Sequence, residues 1–271
     1  MVFIRFLLFT SLLATAFLSA QADDILFFGN SFTFGATVPG IEKNGGVPKL
    51  VQEIAAAKGR QVGTSAVTAG GKDWSYLMAM PATDQALQKT WNWVVLQDHS
   101  LRPTHIGNVQ QFLVDGEAFS QRIAQTSPSA GILLFETWAR PAGPFYNAKS
   151  FSGPEEMLGD LHRSYSSLRD DLAAKNPNRP ARVALIGTAF AREAAEYPAI
   201  NLNASDHHHA DAEGYYLAAL VIYETIYHDS VKGAPTQFFN GQVTIPADDA
   251  AKLQQVADEV ATGMTTPTAQ R

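Results

Sequence analysis

Five short apolar runs separated by helical patterns constrain the fold of this chain more than any other feature. They lie at 24–28, 62–68, 93–97, 131–136 and 182–186 and are rich in Ile, Val, Leu and Phe. None shows the clean alternation of a half-exposed strand, as expected when both faces of a sheet are covered. Between them, apolar residues recur at three- and four-residue spacing over 47–58, 111–125 and 155–175, the pattern of amphipathic helices. Strands alternating with helices imply a parallel sheet with right-handed crossovers. The expected architecture is a doubly wound α/β structure with a five-stranded parallel sheet. Two segments fall outside that repeat: a loop over 139–153 rich in Pro, Gly and aromatics, and a helix near 247–261.

The first residues carry one cation, Arg5, then an apolar run over 6–18 and the small-residue stretch Ser19-Ala20-Gln21-Ala22. That is the layout of a secretory signal peptide. The run is shorter than the roughly 20 apolar residues of a membrane-spanning helix. Residues 1–22 are therefore expected to be removed, leaving no stable membrane anchor, and the product is expected to be secreted or periplasmic. No repeat or linker divides the remainder, so 23–271 is read as one domain.

With 20 basic and 26 acidic residues the net charge is −6, and no cluster of Lys and Arg stands out, which disfavours a nucleic-acid partner. The chain has no cysteine. Disulfides, a thiolate nucleophile and Cys-ligated metal centres are thereby excluded.

The candidate chemistry lies at the carboxyl ends of the expected strands, where open parallel sheets bind ligands. The first run ends in Phe28-Gly29-Asn30-Ser31-Phe32, with Ser31 in a glycine-flanked turn. A serine there is either a cap or a nucleophile. The second run is followed by Gly70-Gly71 and the third ends at Gln97. These are either a turn and a strand-end cap, or a backbone N–H and a side-chain amide aimed at the oxyanion of an acyl-transfer intermediate. Near the C-terminus stands Ser205-Asp206-His207-His208-His209. Asp206 lies three residues before His209, so a local turn would bring its carboxylate to one ring nitrogen and leave the other for Ser31.

A rival reading makes Asp206, the three histidines and Asp211 a metal site in a periplasmic metal-binding protein. Consecutive side chains diverge in any regular backbone, which argues against convergence on one ion. Trp138 and Arg140, just past the fourth run, are candidates to line a substrate pocket. Trp74 and Tyr76, after Gly71, either stack on a sugar or cover the sheet.

In the order Ser, Gly, Gln, Asp, His, these blocks resemble the SGNH hydrolases, also called GDSL-type esterases and lipases. Gly29-Asn30-Ser31-Phe32 is similar to the family's serine block, with Asn30 and Phe32 in place of the commoner Asp and Leu. Gly71 matches the glycine block and Asp206-x-x-His209 the final block. The third block departs most, with Gln97-Asp98-His99-Ser100 in place of Gly-x-Asn-Asp, and Ala210 stands where proline is common. The resemblance implies a flavodoxin-like three-layer α/β/α sandwich and no cofactor or metal. It also implies an acyl-enzyme on Ser31, with His209 as base and Asp206 as its partner. The oxyanion would be held by the N–H groups of Ser31 and Gly71 and the amide of Gln97. The expected substrate is a small-molecule or polysaccharide ester, short acyl groups on carbohydrate above all, with a lipase or thioesterase of the same fold as the alternative.

Overall fold

The computed structural model describes residues 22–263. The expected leader, apart from Ala22, lies outside the described residues. Five strands, β1 (Asp23–Gly29), β2 (Val62–Thr68), β3 (Trp93–Leu96), β4 (Gly131–Phe135) and β5 (Ala181–Ala184), form one parallel sheet in the order β2-β1-β3-β4-β5. This is the flavodoxin-like order. Winding reverses at β1, whose Phe28 is paired with Val67 of β2 on one side and Leu96 of β3 on the other. A crevice is expected outside the carboxyl ends of β1 and β3, where the connections leave in opposite directions.

Side-chain alternation divides the core into two halves. Ile25, Phe27, Val95, Leu133 and Phe135 face one side and pack with the helices Gly46–Ala57, Ile186–Glu196, Ala212–Tyr227 and Ala247–Ala261. Leu26, Phe28, Val94, Leu96, Ile132 and Leu134 face the other, under Trp74 and the helices Val109–Ala124 and Pro154–Lys175. Because both sides are covered, every position of β4 is buried. The helix Ala212–Tyr227 is buried around nearly its whole girth, since it packs against three other helices as well as β5. Among the described residues no helix is long and apolar enough to cross a membrane.

The fifth strand is shorter than the sequence implies. It stops at Ala184, and Ile186 already opens the helix Ile186–Glu196. The apolar run is continuous because a buried strand end and a buried helix start adjoin, and periodicity alone cannot separate the two.

Candidate active site

Ser31 opens a four-residue helix, Ser31–Phe34, directly after β1. Asn30 caps it: its Oδ1 accepts from the Phe32 N–H at 3.2 Å, and its carbonyl accepts from the N–H groups of Thr33 and Phe34. The Ser31 N–H is left over, as the first donor of a helix normally is. Asn30 also donates from Nδ2 to the Lys72 carbonyl at 3.1 Å. That bond ties the serine turn to the glycine loop after β2. There the Lys72 N–H closes a turn on the Ala69 carbonyl, with Gly71 at φ +66° and exposed, its N–H unused by that turn.

Gln97 lies beneath this turn and is fully buried. Its Oε1 accepts from the Asn30 N–H at 2.7 Å and from the Thr33 hydroxyl at 3.0 Å, while its Nε2 donates to the Asp98 carbonyl. The amide is spent on holding the nucleophile turn and does not face the crevice. The expectation that Gln97 donates to the oxyanion is thereby corrected: it is a buried brace. Gly29 makes room for it, since a Cβ there would fall 2.6 Å from Gln97 Oε1 and 2.0 Å from Thr33 Oγ1.

Asp98, also fully buried, accepts from the Trp74 N–H at 2.9 Å and the His99 N–H at 2.8 Å. Burial pushes its carboxyl up to about 7, although Arg102 at 3.7 Å pulls the other way. It fixes the glycine loop to the end of β3.

The segment from Leu202 to Asp211 folds back on itself. Asn203 bridges Ala210, the Ala204 N–H donates to the His209 carbonyl at 2.9 Å, and His207 adopts φ +54° at the tip. That turn brings Asp206 Oδ2 to 2.6 Å from His209 Nδ1, while Oδ1 accepts from the N–H groups of His208 and His209, each at 2.9 Å. Partial burial works to raise the Asp206 carboxyl, but the hydrogen bonds from His209 and His208 outweigh it and hold it at about 2. It is ionised across the neutral range.

The three adjacent histidines do not gather on one point, although the rings of His208 and His209 lie 4.6 Å apart, edge to face. His207 is exposed, His208 lays its ring 5.0 Å from Phe32, and His209 turns to Asp206. Burial, with Arg140 nearby, drives His208 down to about 4, so it is neutral. Asp211 caps the following helix through the Ala212 N–H. Among the described residues no three His, Cys, Asp or Glu side chains gather as for a metal ion.

Several contacts dock this loop on the serine turn. Thr37 Oγ1 donates to the Ala210 carbonyl at 2.9 Å, and the Tyr215 hydroxyl donates to the Ala36 carbonyl at 2.8 Å and the Ser31 carbonyl at 3.4 Å. Gly214 permits the approach of the next helix: a Cβ there would meet the Leu202 carbonyl at 2.3 Å. Phe32 lies 5.7 Å from the His209 ring and stacks at 4.1 Å on Trp138. Ser31 Oγ is not hydrogen-bonded to His209, a contact that is often loose before substrate binds.

Trp138 is corrected as a substrate-facing residue. Its indole is 1% exposed, wedged between Phe32 and Phe190, and its Nε1 donates to the His208 carbonyl at 3.1 Å. Each stack of this kind contributes roughly 0.5–1.5 kcal/mol beyond area burial, so Trp138 fixes the turn and loop relative to each other. Arg140 remains partly exposed, its guanidinium 4.0 Å over Phe145. Trp74 is core, stacked on Phe112, whereas Tyr76 is half exposed under the Lys72 ammonium. The sequence reading missed Thr33, Asp98 and Tyr215 as supports of the site. Strand parity carries a signal for one related feature: Gly29 and Gln97 are adjacent positions on one sheet face, so the missing side chain of the first makes space for the second.

No family model and no curated protein matches this sequence. Solved structures do. A DUF4886 family protein from Bacteroides uniformis matches with a TM-score of 0.66 at 16% identity, over 92% of this chain and 98% of that one. A protein classed as an SGNH hydrolase from Slackia heliotrinireducens matches with a TM-score of 0.56 at 23% identity, over 76% and 100% of the two chains. An acetyl xylan esterase matches with a TM-score of 0.54 at 21% identity, over 75% and 99%. At such identities the likeness establishes the fold.

Proposed function

The chain has the fold of the SGNH hydrolases, and we propose that it is an exported serine hydrolase of carboxylic esters, cleaving short acyl groups, acetyl above all, from carbohydrate. The observation that carries this reading is the 2.6 Å pairing of Asp206 with His209 on a loop docked against the turn that presents Ser31. A serine hydroxyl is a weak nucleophile until a base takes its proton, and the base needs a partner that fixes its tautomer and stabilises the imidazolium. Asp206 is ionised, so Nδ1 of His209 carries the proton and Nε2 is the basic nitrogen.

Ser31 Oγ attacks the ester carbonyl as its proton passes to His209 Nε2. The oxyanion is held by the N–H groups of Ser31 and Gly71, the two donors left unused by the serine and glycine turns. Collapse of the intermediate breaks the C–O bond, and His209 returns its proton to the departing alcohol oxygen. Water, deprotonated by His209, then attacks the acyl-enzyme and frees Ser31. Gln97 takes part only by holding the turn.

Esters of one aryl alcohol from acetate to decanoate, measured beside acetylated sugars, test the substrate assignment. The specificity constant is expected to be highest for acetyl and to fall with chain length. A steady rise, by about 0.8 kcal/mol of binding for each buried methylene, would reassign the protein as a lipase or thioesterase.

A further inference from the structure

A second concavity lies beside the loop that carries Asp206 and His209. It is a cleft of about 470 Å³ between the segment after β4, the start of the helix Pro154–Lys175, the helix Ile186–Glu196 and residues 198–203. That is within the roughly 300–1,000 Å³ of small-molecule sites. Its walls are largely Ala, Pro, Leu, Ile and the edge of Phe190, with a few polar groups set among them.

Three of those polar groups have buried atoms without a hydrogen-bond partner: Glu193 Oε1, Asn203 Oδ1 and Arg140 Nε. Glu193 is 2% exposed. Buried polar atoms are nearly always paired, so an orphan costs about 1–3 kcal/mol and calls for an explanation. All three orphans, two acceptors and one donor, belong to residues that line this one cleft. Arg140 in addition has no carboxylate at ion-pair distance among the described residues.

The position of the cleft says which part of an ester would enter it. Gly71 follows β2, on one flank of β1, whereas the cleft follows β4 and β5, on the other. Leu202 and Asn203 line the cleft and belong to the same folded-back loop as His209. An oxyanion drawn toward Gly71 leaves the departing oxygen on the side of His209, which must protonate it. The geometry points to this cleft as the leaving-group subsite, taking a glycosyl unit whose C–H faces pack on the apolar walls and whose hydroxyls pair with Glu193, Asn203 and Arg140.

This assignment rests on the esterase reading for its direction, but its ligand chemistry is testable without turnover. Calorimetric titration of the full chain with methyl pyranosides and with alkyl alcohols of similar size is expected to show saturable binding of the glycosides alone. Glu193→Leu and Asn203→Leu, which remove one acceptor each, should weaken that binding at least tenfold. Tighter binding of the alkyl alcohols, or glycoside affinity within twofold of the parent in both variants, would overturn the proposal. If either variant fails to fold, the competition between glycoside and alkyl alcohol in the unaltered protein still decides. Glycoside binding with no hydrolysis of any ester would sink the esterase reading and with it the leaving-group role, and would leave the cleft a glycoside site only.

Discussion

Asp206 holds His209 through both carboxylate oxygens, one 2.6 Å from the ring Nδ1 and the other 2.9 Å from the backbone N–H of the same residue. One side chain thereby shapes the loop and fixes the imidazole. The two roles are separable by chemistry. Asp206→Asn keeps an oxygen for the N–H groups of His208 and His209 but offers an amide where Nδ1–H needs an acceptor. We expect kcat to fall by roughly 100- to 10,000-fold with the fold intact, read from aryl acetate turnover beside circular dichroism. Retention of more than a third of the activity would remove Asp206 from the mechanism.

Gln97 is expected to behave as a brace. Gln97→Ala strands the Asn30 N–H and the Thr33 hydroxyl in a fully buried place, at about 1–3 kcal/mol for each group. At roughly 2–4 °C per kcal/mol in a chain of this size, the Tm should drop by several degrees, and activity should fall with it. Lost activity at an unchanged Tm would return Gln97 to the oxyanion hole.

Glu224, on the helix Ala212–Tyr227, is 5% exposed with Oε2 unpaired, and burial together with Asp258 pushes its carboxyl up to about 8 from an ordinary 4.5. Below pH 4.5 it is protonated folded or unfolded, and its contribution is fully present. As pH rises toward 8 the unfolded chain releases the proton first, so stability is lost across that window. Glu193, raised to about 7 chiefly by burial, acts in the same direction. Glu224→Gln should therefore raise the Tm at pH 8.5 and change it little at pH 4. Equal shifts at both would show that ionisation is not the cause.

The layers of the fold were legible because strands covered on both faces leave continuous apolar runs; all five expected strands match to within two residues at each end. The pairing of Asp206 with His209 was legible because the two stand three residues apart in a short polar break before a buried helix. Gln97 and Trp138 were misjudged for one physical reason: position at a strand end does not say whether a side chain points to solvent or under its neighbour. The supports were invisible because Thr33, Asp98 and Tyr215 act through bonds spanning 24 to 184 residues. The cleft was equally hidden, since its walls come from four separate stretches of chain.

The central claim, that Ser31 is an activated nucleophile, is tested most directly by exposing the folded protein to a fluorophosphonate probe and mapping the adduct by peptide mass. The account predicts one covalent adduct, on Ser31, abolished in Ser31→Ala and strongly slowed in His209→Ala. No adduct on folded protein, or an adduct on another residue, would contradict it.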